Sequence, residues 1–222
     1  MYSINYSRRR TIGLYIRDGK LEVRAPIGCS QLEIDKLVKA KANWIQTKLA
    51  LTDERAKNKK SFVLNFGSEV LYRGKLYKIV PKDGNKIGID DDIIYMPPDF
   101  SMDEILHACI KLYRHLAKSY LLSRVPEIAE HMNVTPSDIK VNSAKTRWGS
   151  CSSKKSLNFS WRLILADDGV IDYVIVHELA HIFQMNHSRK FWAIVEKVLP
   201  DYKKRQARLR TLQNRLANEN WH

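Results

Sequence analysis

His177-Glu178-Leu179-Ala180-His181, with a further histidine at His187, is the stretch on which the reading of this chain turns. Two histidines four residues apart project from one face of a helix and can direct both imidazoles at one metal ion. Glu178 is placed on that helix to hold and deprotonate a water on the metal, and does not itself ligate. A catalytic zinc takes three protein ligands and keeps one position for water, so a third ligand has to come from elsewhere in the fold. His187 is the first choice, because the chain can turn back under the helix within the six residues that separate it from His181. Glu196, on the helix that follows, is the alternative.

A third histidine at this spacing is ordinarily reached through a glycine midway, which lets the backbone turn. That position is Gln184 here. The turn then has to be made differently, and a left-handed Asn186 is the expectation. An amphipathic helix with histidines on a partly buried face is the plain alternative to a metal site. Three histidines and a glutamate at these offsets fit it poorly.

The rest of the composition bounds the setting. At 222 residues and 25.8 kDa, with 44% hydrophobic and 28% charged residues, the chain has the balance of a soluble globular protein with a core of its own. No apolar run is long enough to span a bilayer, and the N-terminus lacks an apolar signal region, so the expected setting is cytoplasmic, without membrane partners. Cys29, Cys109 and Cys151 are odd in number and widely spaced, which argues against a disulfide framework. A formal net charge of +14 points to an acidic partner, nucleic acid being the commonest, with a merely solvated basic surface as the alternative.

Patterning divides the chain near residue 100. Residues 1–100 read as β-rich. Two strands flank Asp18-Gly19, a strong hairpin signal, and a helix starts from the Ser30/Glu33 capping-box pattern and runs to about Leu51. Residues 52–61 read as a polar linker. Strands then follow at residues 62–66, 70–72, 76–80 and 93–95, in a small antiparallel sheet. From Ser101, where Ser101 and Glu104 repeat the capping box, residues 101–222 turn mostly helical. Pro126 is expected to break or kink the first of these helices. Residues 139–141 and 157–159 read as paired strands. Asp167 or Asp168 caps the motif helix, Ser188 the next, and Pro200 opens a last, basic helix.

Arg147-Trp148-Gly149-Ser150-Cys151-Ser152 and the segment 158–165 precede the His-Glu-x-x-His motif, and Met185-Asn186-His187-Ser188 and Phe191-Trp192 follow it. With Arg24-Ala25-Pro26 and Trp44-Ile45 near the front, this combination resembles the YgjP-like metallopeptidase-domain family, and more distantly the WLM and SprT-type zinc proteases. The resemblance implies an α+β fold with a zincin-like catalytic domain. It also implies zinc on His177, His181 and His187, with Glu178 as general base. It leaves two substrate classes open. Members carry metallopeptidase labels, yet some look like nucleotide pyrophosphohydrolases acting on UTP. A nucleic-acid-associated zinc protein is a third possibility, from a different class.

Arg147 has two readings: a guanidinium that stabilises a developing oxyanion or binds phosphate, or a pin for the loop around Gly149. Trp148 reads as packing, Cys151 as a small buried residue without an activated thiolate, and Tyr202 as a weaker candidate for polarising substrate. The basic residues of the last helix have two readings, a site for nucleic acid or triphosphate and a solvated face, the second favoured because no aromatic residues interleave them.

Overall fold

Leu21, Val23 and Ala25 alternate with polar neighbours along one strand, and all three are buried. That alternation sets the register of the N-terminal sheet. The structure is a computed structural model and describes residues 2–17 and 19–221. It divides into two compact units, Met1–Phe62 with Leu216–Asn220, and Val63–Arg215 with Trp221–His222. Packing thus divides the chain at residue 62, whereas sequence character changes near residue 100.

In the first unit β1 (Ser3–Ser7), β2 (Gly13–Arg17) and β3 (Lys20–Pro26) form a sheet of order β1-β3-β2. β2 and β3 make the expected antiparallel hairpin, closing with Arg17 opposite Lys20. Gly19 takes the left-handed φ of +71° that a tight turn demands, while Asp18 lies outside the described residues. β1, which lacks a strong pattern, adds parallel to β3 and makes the sheet mixed. One face of the sheet packs on α1 (Gln31–Ala40) and α2 (Ala42–Ser61) through Ile34 and Ile45.

Ser30 and Glu33 form both bonds of the capping box. The single helix to Leu51 is instead two helices, broken at Lys41 (φ −106°, ψ 15°), and residues 52–61 are helix, not linker. Their Lys, Arg, Glu and Ala content favours a helix, and no glycine or proline interrupts them.

In the second unit, residues 62–66 are not a strand. β4 (Glu69–Tyr72), β5 (Lys75–Pro81), β6 (Gly88–Asp90) and β7 (Ile93–Met96) form a sheet of order β4-β5-β7-β6. β7 runs parallel to β5, so this sheet too is mixed and not purely antiparallel. Residues 82–87 carry the chain past β7's place to the edge, and a tight Asp91-Asp92 turn returns it, with Asp91 at φ 42°.

α3 (Met102–His131) runs unbroken through Pro126. The carbonyl that Pro126 leaves without its helical partner belongs to Leu122, an exposed residue where water can replace the bond. The third sheet, β8 (Asp138–Asn142), β10 (Ser156–Ser160) and β9 (Gly149–Cys151), has order β8-β10-β9. β10 pairs parallel with β8 and antiparallel with β9. A 3-10 helix (Trp161–Leu165) leads into α4 (Asp168–Phe183), followed by α5 (Arg189–Val198) and α6 (Tyr202–Leu216). The architecture is α+β.

α4 carries the motif and is apolar on nearly every side, so it is buried through most of its length. Its N-terminus is fastened by charge. Asp167 is the N-cap, accepting from Val170 N–H at 3.1 Å, and it also pairs with Arg208 of α6. Asp168 accepts a two-pronged bond from Arg73, at 2.7 and 2.6 Å, and Asp172 one from Arg124, at 2.9 and 2.8 Å. Arg205 donates to the Gly169 carbonyl at 3.0 Å. Two arginines of the basic last helix therefore hold the motif helix, rather than only facing solvent. Gly74, at φ +79°, packs so closely on Asp167 that an added Cβ would lie 2.6 Å from the Asp167 Cβ.

Arg162 is only 8% exposed and donates to the Ser143 and Trp221 carbonyls at 3.2 and 2.8 Å. It also lies over the Trp161 ring. It thereby anchors the start of the loop that leads to Arg147. All three cysteines are free thiols. Among the described residues, no helix is long and apolar enough to cross a membrane.

Replacing the cap in Asp167→Ala removes a helix-terminal bond and an ion pair together, and should lower stability by about 1–2 kcal/mol. Thermal and denaturant unfolding followed by circular dichroism would check this, and a change within error would deny the cap its role.

Candidate metal centre

Ligand atoms of His177, His181 and His187 all lie within 4.8 Å of one another. The Nε2 atoms of His177 and His187 face each other at 3.0 Å. Nitrogens sharing one divalent ion at ~2.1 Å in tetrahedral geometry sit ~3.4 Å apart, so the three are spaced to converge on one ion. Glu196 is exposed and outside this cluster.

The turn that brings His187 back is not made by a left-handed Asn186, since Asn186 is not among the residues of positive φ. α4 ends instead with Gln184 in an extended conformation (φ −144°, ψ 102°). The Asn186 side chain then ties the loop, its Oδ1 accepting from Gln184 Nε2 at 2.8 Å and from the Ser188 N–H at 3.3 Å. A side-chain-to-backbone bond of this type replaces the turn that glycine would make. Ser188 occupies the N-cap of α5 without a side-chain cap bond.

The same loop orients the second histidine. His181 Nδ1 lies 3.2 Å from the Gln184 carbonyl, and that bond puts the proton on Nδ1 and leaves Nε2 free to ligate. His177 Nδ1 is buried without a hydrogen-bond partner among the described residues. Phe191, fully buried, forms the floor: its ring lies 4.9, 4.6 and 4.8 Å from the rings of His177, His181 and His187. His187 in turn stacks on Trp192 at 5.8 Å, and Trp192 on Tyr202 at 5.3 Å. Tyr202 is thus a buried member of this column and not a group presented to substrate.

Burial is the main electrostatic influence on the cluster. It pushes His177 down to about 4, with its two histidine neighbours adding to the effect, and it lowers His181 as well. Neutral imidazoles with free lone pairs are what metal ligation needs. Glu178 is 6% exposed, and burial pushes its carboxyl up to about 7, opposed by the positive charge of Arg147.

That carboxylate is set by Gly149 of β9. A Cβ added to Gly149 would meet Glu178 Cγ at 2.6 Å and Oε1 at 2.7 Å. Only glycine lets the strand approach so closely. Arg147, two residues earlier, is exposed and makes no hydrogen bond or ion pair among the described residues, so it does not pin the loop. Trp148 holds it by backbone, its carbonyl accepting from the Ser160 N–H at 2.8 Å. Cys151 is half-buried, and burial with the nearby Glu178 charge raises its thiol, away from an activated thiolate.

The floor made by Phe191, the support that Trp192 and Tyr202 give His187, and the contact of Gly149 with Glu178 are not foreseen from the sequence. Each depends on tertiary packing. The signals were the glycine in the Arg147–Ser152 segment and the Phe191-Trp192 pair quoted with the family signature.

The family described as YgjP-like, metallopeptidase domain, matches residues 10–212. Comparison with curated proteins returns no match. Among solved structures, the metallopeptidase zymogen of Pyrococcus abyssi abylysin is similar over 39% of this chain and 89% of its own, at 22% identity and a TM-score of 0.37.

His187→Ala should abolish tight metal binding, read as metal content after dialysis, and full retention would remove His187 from the ligand set. Trp192→Ala, which only unsupports that ring, should weaken metal affinity by about tenfold or more in a competitive chelator titration.

Proposed function

The chain belongs to the YgjP-like metallopeptidase-domain family, a family of hydrolases of metallopeptidase type, and from that footing we propose that it is a zinc-dependent peptidase. In this reading His177, His181 and His187 hold the ion and Glu178 is the general base. Three imidazole nitrogens with one position left open suit zinc. Bound there, zinc would polarise a carbonyl and bring the pKa of a water toward neutrality.

The chain's own groups supply the rest. Glu178, fixed between its helix and Gly149, takes the proton of the attacking water and passes it to the leaving amine. Burial favours the protonated carboxyl that the second of these steps uses. Arg147 offers an unpaired guanidinium on the Glu178 side of the site, able to bind a developing oxyanion or a substrate carboxylate.

One observation carries the choice of a peptide over other hydrolysable substrates. β9 is an edge strand, paired on one side with β10 and with no strand on the other among the described residues, and its Gly149 touches the catalytic carboxylate. An extended peptide can add to such an edge through backbone hydrogen bonds, which brings a scissile bond alongside Glu178. A second reading, nucleotide pyrophosphohydrolysis on the same site, draws on Arg147 and on the high positive charge as phosphate-binding features.

Glu178→Gln should reduce turnover by at least about a hundredfold while leaving metal content unchanged. The informative assay sets unfolded protein substrates beside nucleoside triphosphates. Peptide cleavage lost in Glu178→Gln is the expected result. Phosphate release without peptide cleavage, lost in the same variant, would replace the peptidase reading with the nucleotide one, and full activity in the variant would sink both.

A further inference from the structure

The charge of the chain is unevenly distributed. Residues 1–62 contain fourteen Lys and Arg against six Asp and Glu, an excess of eight out of the whole chain's +14. The basic residues of α6 are partly committed to holding α4, through Arg205 and Arg208. In the first unit Arg17 and Lys20 lie exposed on one strand hairpin.

The helices cover one face of the β1-β3-β2 sheet, against Leu21, Val23 and Ala25. Strand periodicity therefore turns the alternate residues of β3, Lys20, Glu22 and Arg24, to the opposite face. Register places Arg17 beside Lys20, Tyr15 beside Glu22, and Gly13 beside Arg24, with Asn5 on the far side of Arg24. This outer face is thus polar and basic, with one aromatic ring set in it.

The ring is held in a defined arrangement. Tyr15 leans across Gly13, whose added Cβ would meet the ring at 2.8 Å and the Arg9 guanidinium at 2.9 Å. The Arg24 guanidinium lies over the Tyr15 ring, 4.9 Å from its centroid. Glu22, an acidic group on this face, accepts from Arg24 Nε at 2.7 Å and fixes that orientation, and it also approaches Arg17 at 3.6 Å. Arg17 and Lys20 remain largely exposed. The Arg9 Nε is buried with no partner among the described residues.

We propose that this outer sheet face binds single-stranded nucleic acid, with bases stacking on the Tyr15–Arg24 pair and phosphates held by Arg9, Arg17 and Lys20. Planar aromatic and guanidinium groups stack on any base, and surrounding cations follow the backbone. An acidic protein partner would be served by the cations alone and would leave the ring arrangement without a use. Duplex nucleic acid would hide the base faces that the pair is placed to meet. The inference does not depend on the hydrolase reading, and Glu178→Gln should bind as the natural chain does.

Fluorescence anisotropy of the full chain with labelled oligo(dT) and oligo(U), and with a duplex of equal length, tests it. Single strands should bind more tightly than duplex. Three phosphate contacts predict an affinity about eighteenfold weaker at 200 mM than at 50 mM salt. Tyr15→Ala should weaken single-strand binding about tenfold, Tyr15→Phe should not, and Arg17→Gln with Lys20→Gln should flatten the salt dependence. Should Tyr15→Ala fail to fold by circular dichroism, the exposed Arg17/Lys20 pair carries the test. No binding at 50 mM salt, duplex preferred over single strand, or loss confined to Lys57, Lys59 and Lys60 replacements on α2 would overturn the proposal.

Discussion

A carboxylate packed against a glycine sets the terms for the rest of the centre. Glu178 sits in the interior with the Gly149 Cα hydrogens where any other residue would place a side chain. Burying an ionisable group is costly unless its surroundings compensate, and here the compensation is a shift toward the protonated form together with the field of Arg147. The strand cannot withdraw without releasing Glu178, and the helix cannot rotate without moving two histidines. Chemistry and packing are therefore the same constraint at this point.

That constraint explains why so much of the second unit is given to holding α4 still. Its flanks are buried, and its N-terminal turns are fastened by Asp167, Asp168 and Asp172 to arginines on three other segments. Exposed ion pairs contribute little singly. Four arginines acting on one helix terminus fix an orientation even where each adds little energy, and a metal site needs its ligands held to a fraction of an ångström. Arg162 acts similarly on the loop before β9, through backbone carbonyls instead of carboxylates.

The elements legible in the sequence were those whose signals are local. Both capping boxes, the Asp167 cap, the β2–β3 hairpin and the motif helix are encoded within a few residues and stand as read. The convergence of His187 with the motif pair was legible from spacing, although its turn was not, because the Asn186 bonds depend on side-chain placement. Parallel pairings of β1 with β3 and β5 with β7 join segments whose order no periodicity reveals. Residues 52–61 misled for a different reason: polarity says only that a segment faces water, and a solvated helix is as polar as a linker. Pro126 misled because its cost depends on whether water can reach the freed carbonyl.

The stacked column of His187, Trp192 and Tyr202 also gives the molecule an optical handle. An indole stacked on an imidazole, with ring centres 5.8 Å apart, senses the charge that imidazole carries or shares. A cation held by His187 would withdraw charge from that ring and so alter the surroundings of the neighbouring indole. Filling of the centre would then be readable in the protein's intrinsic emission, with no added label and no substrate.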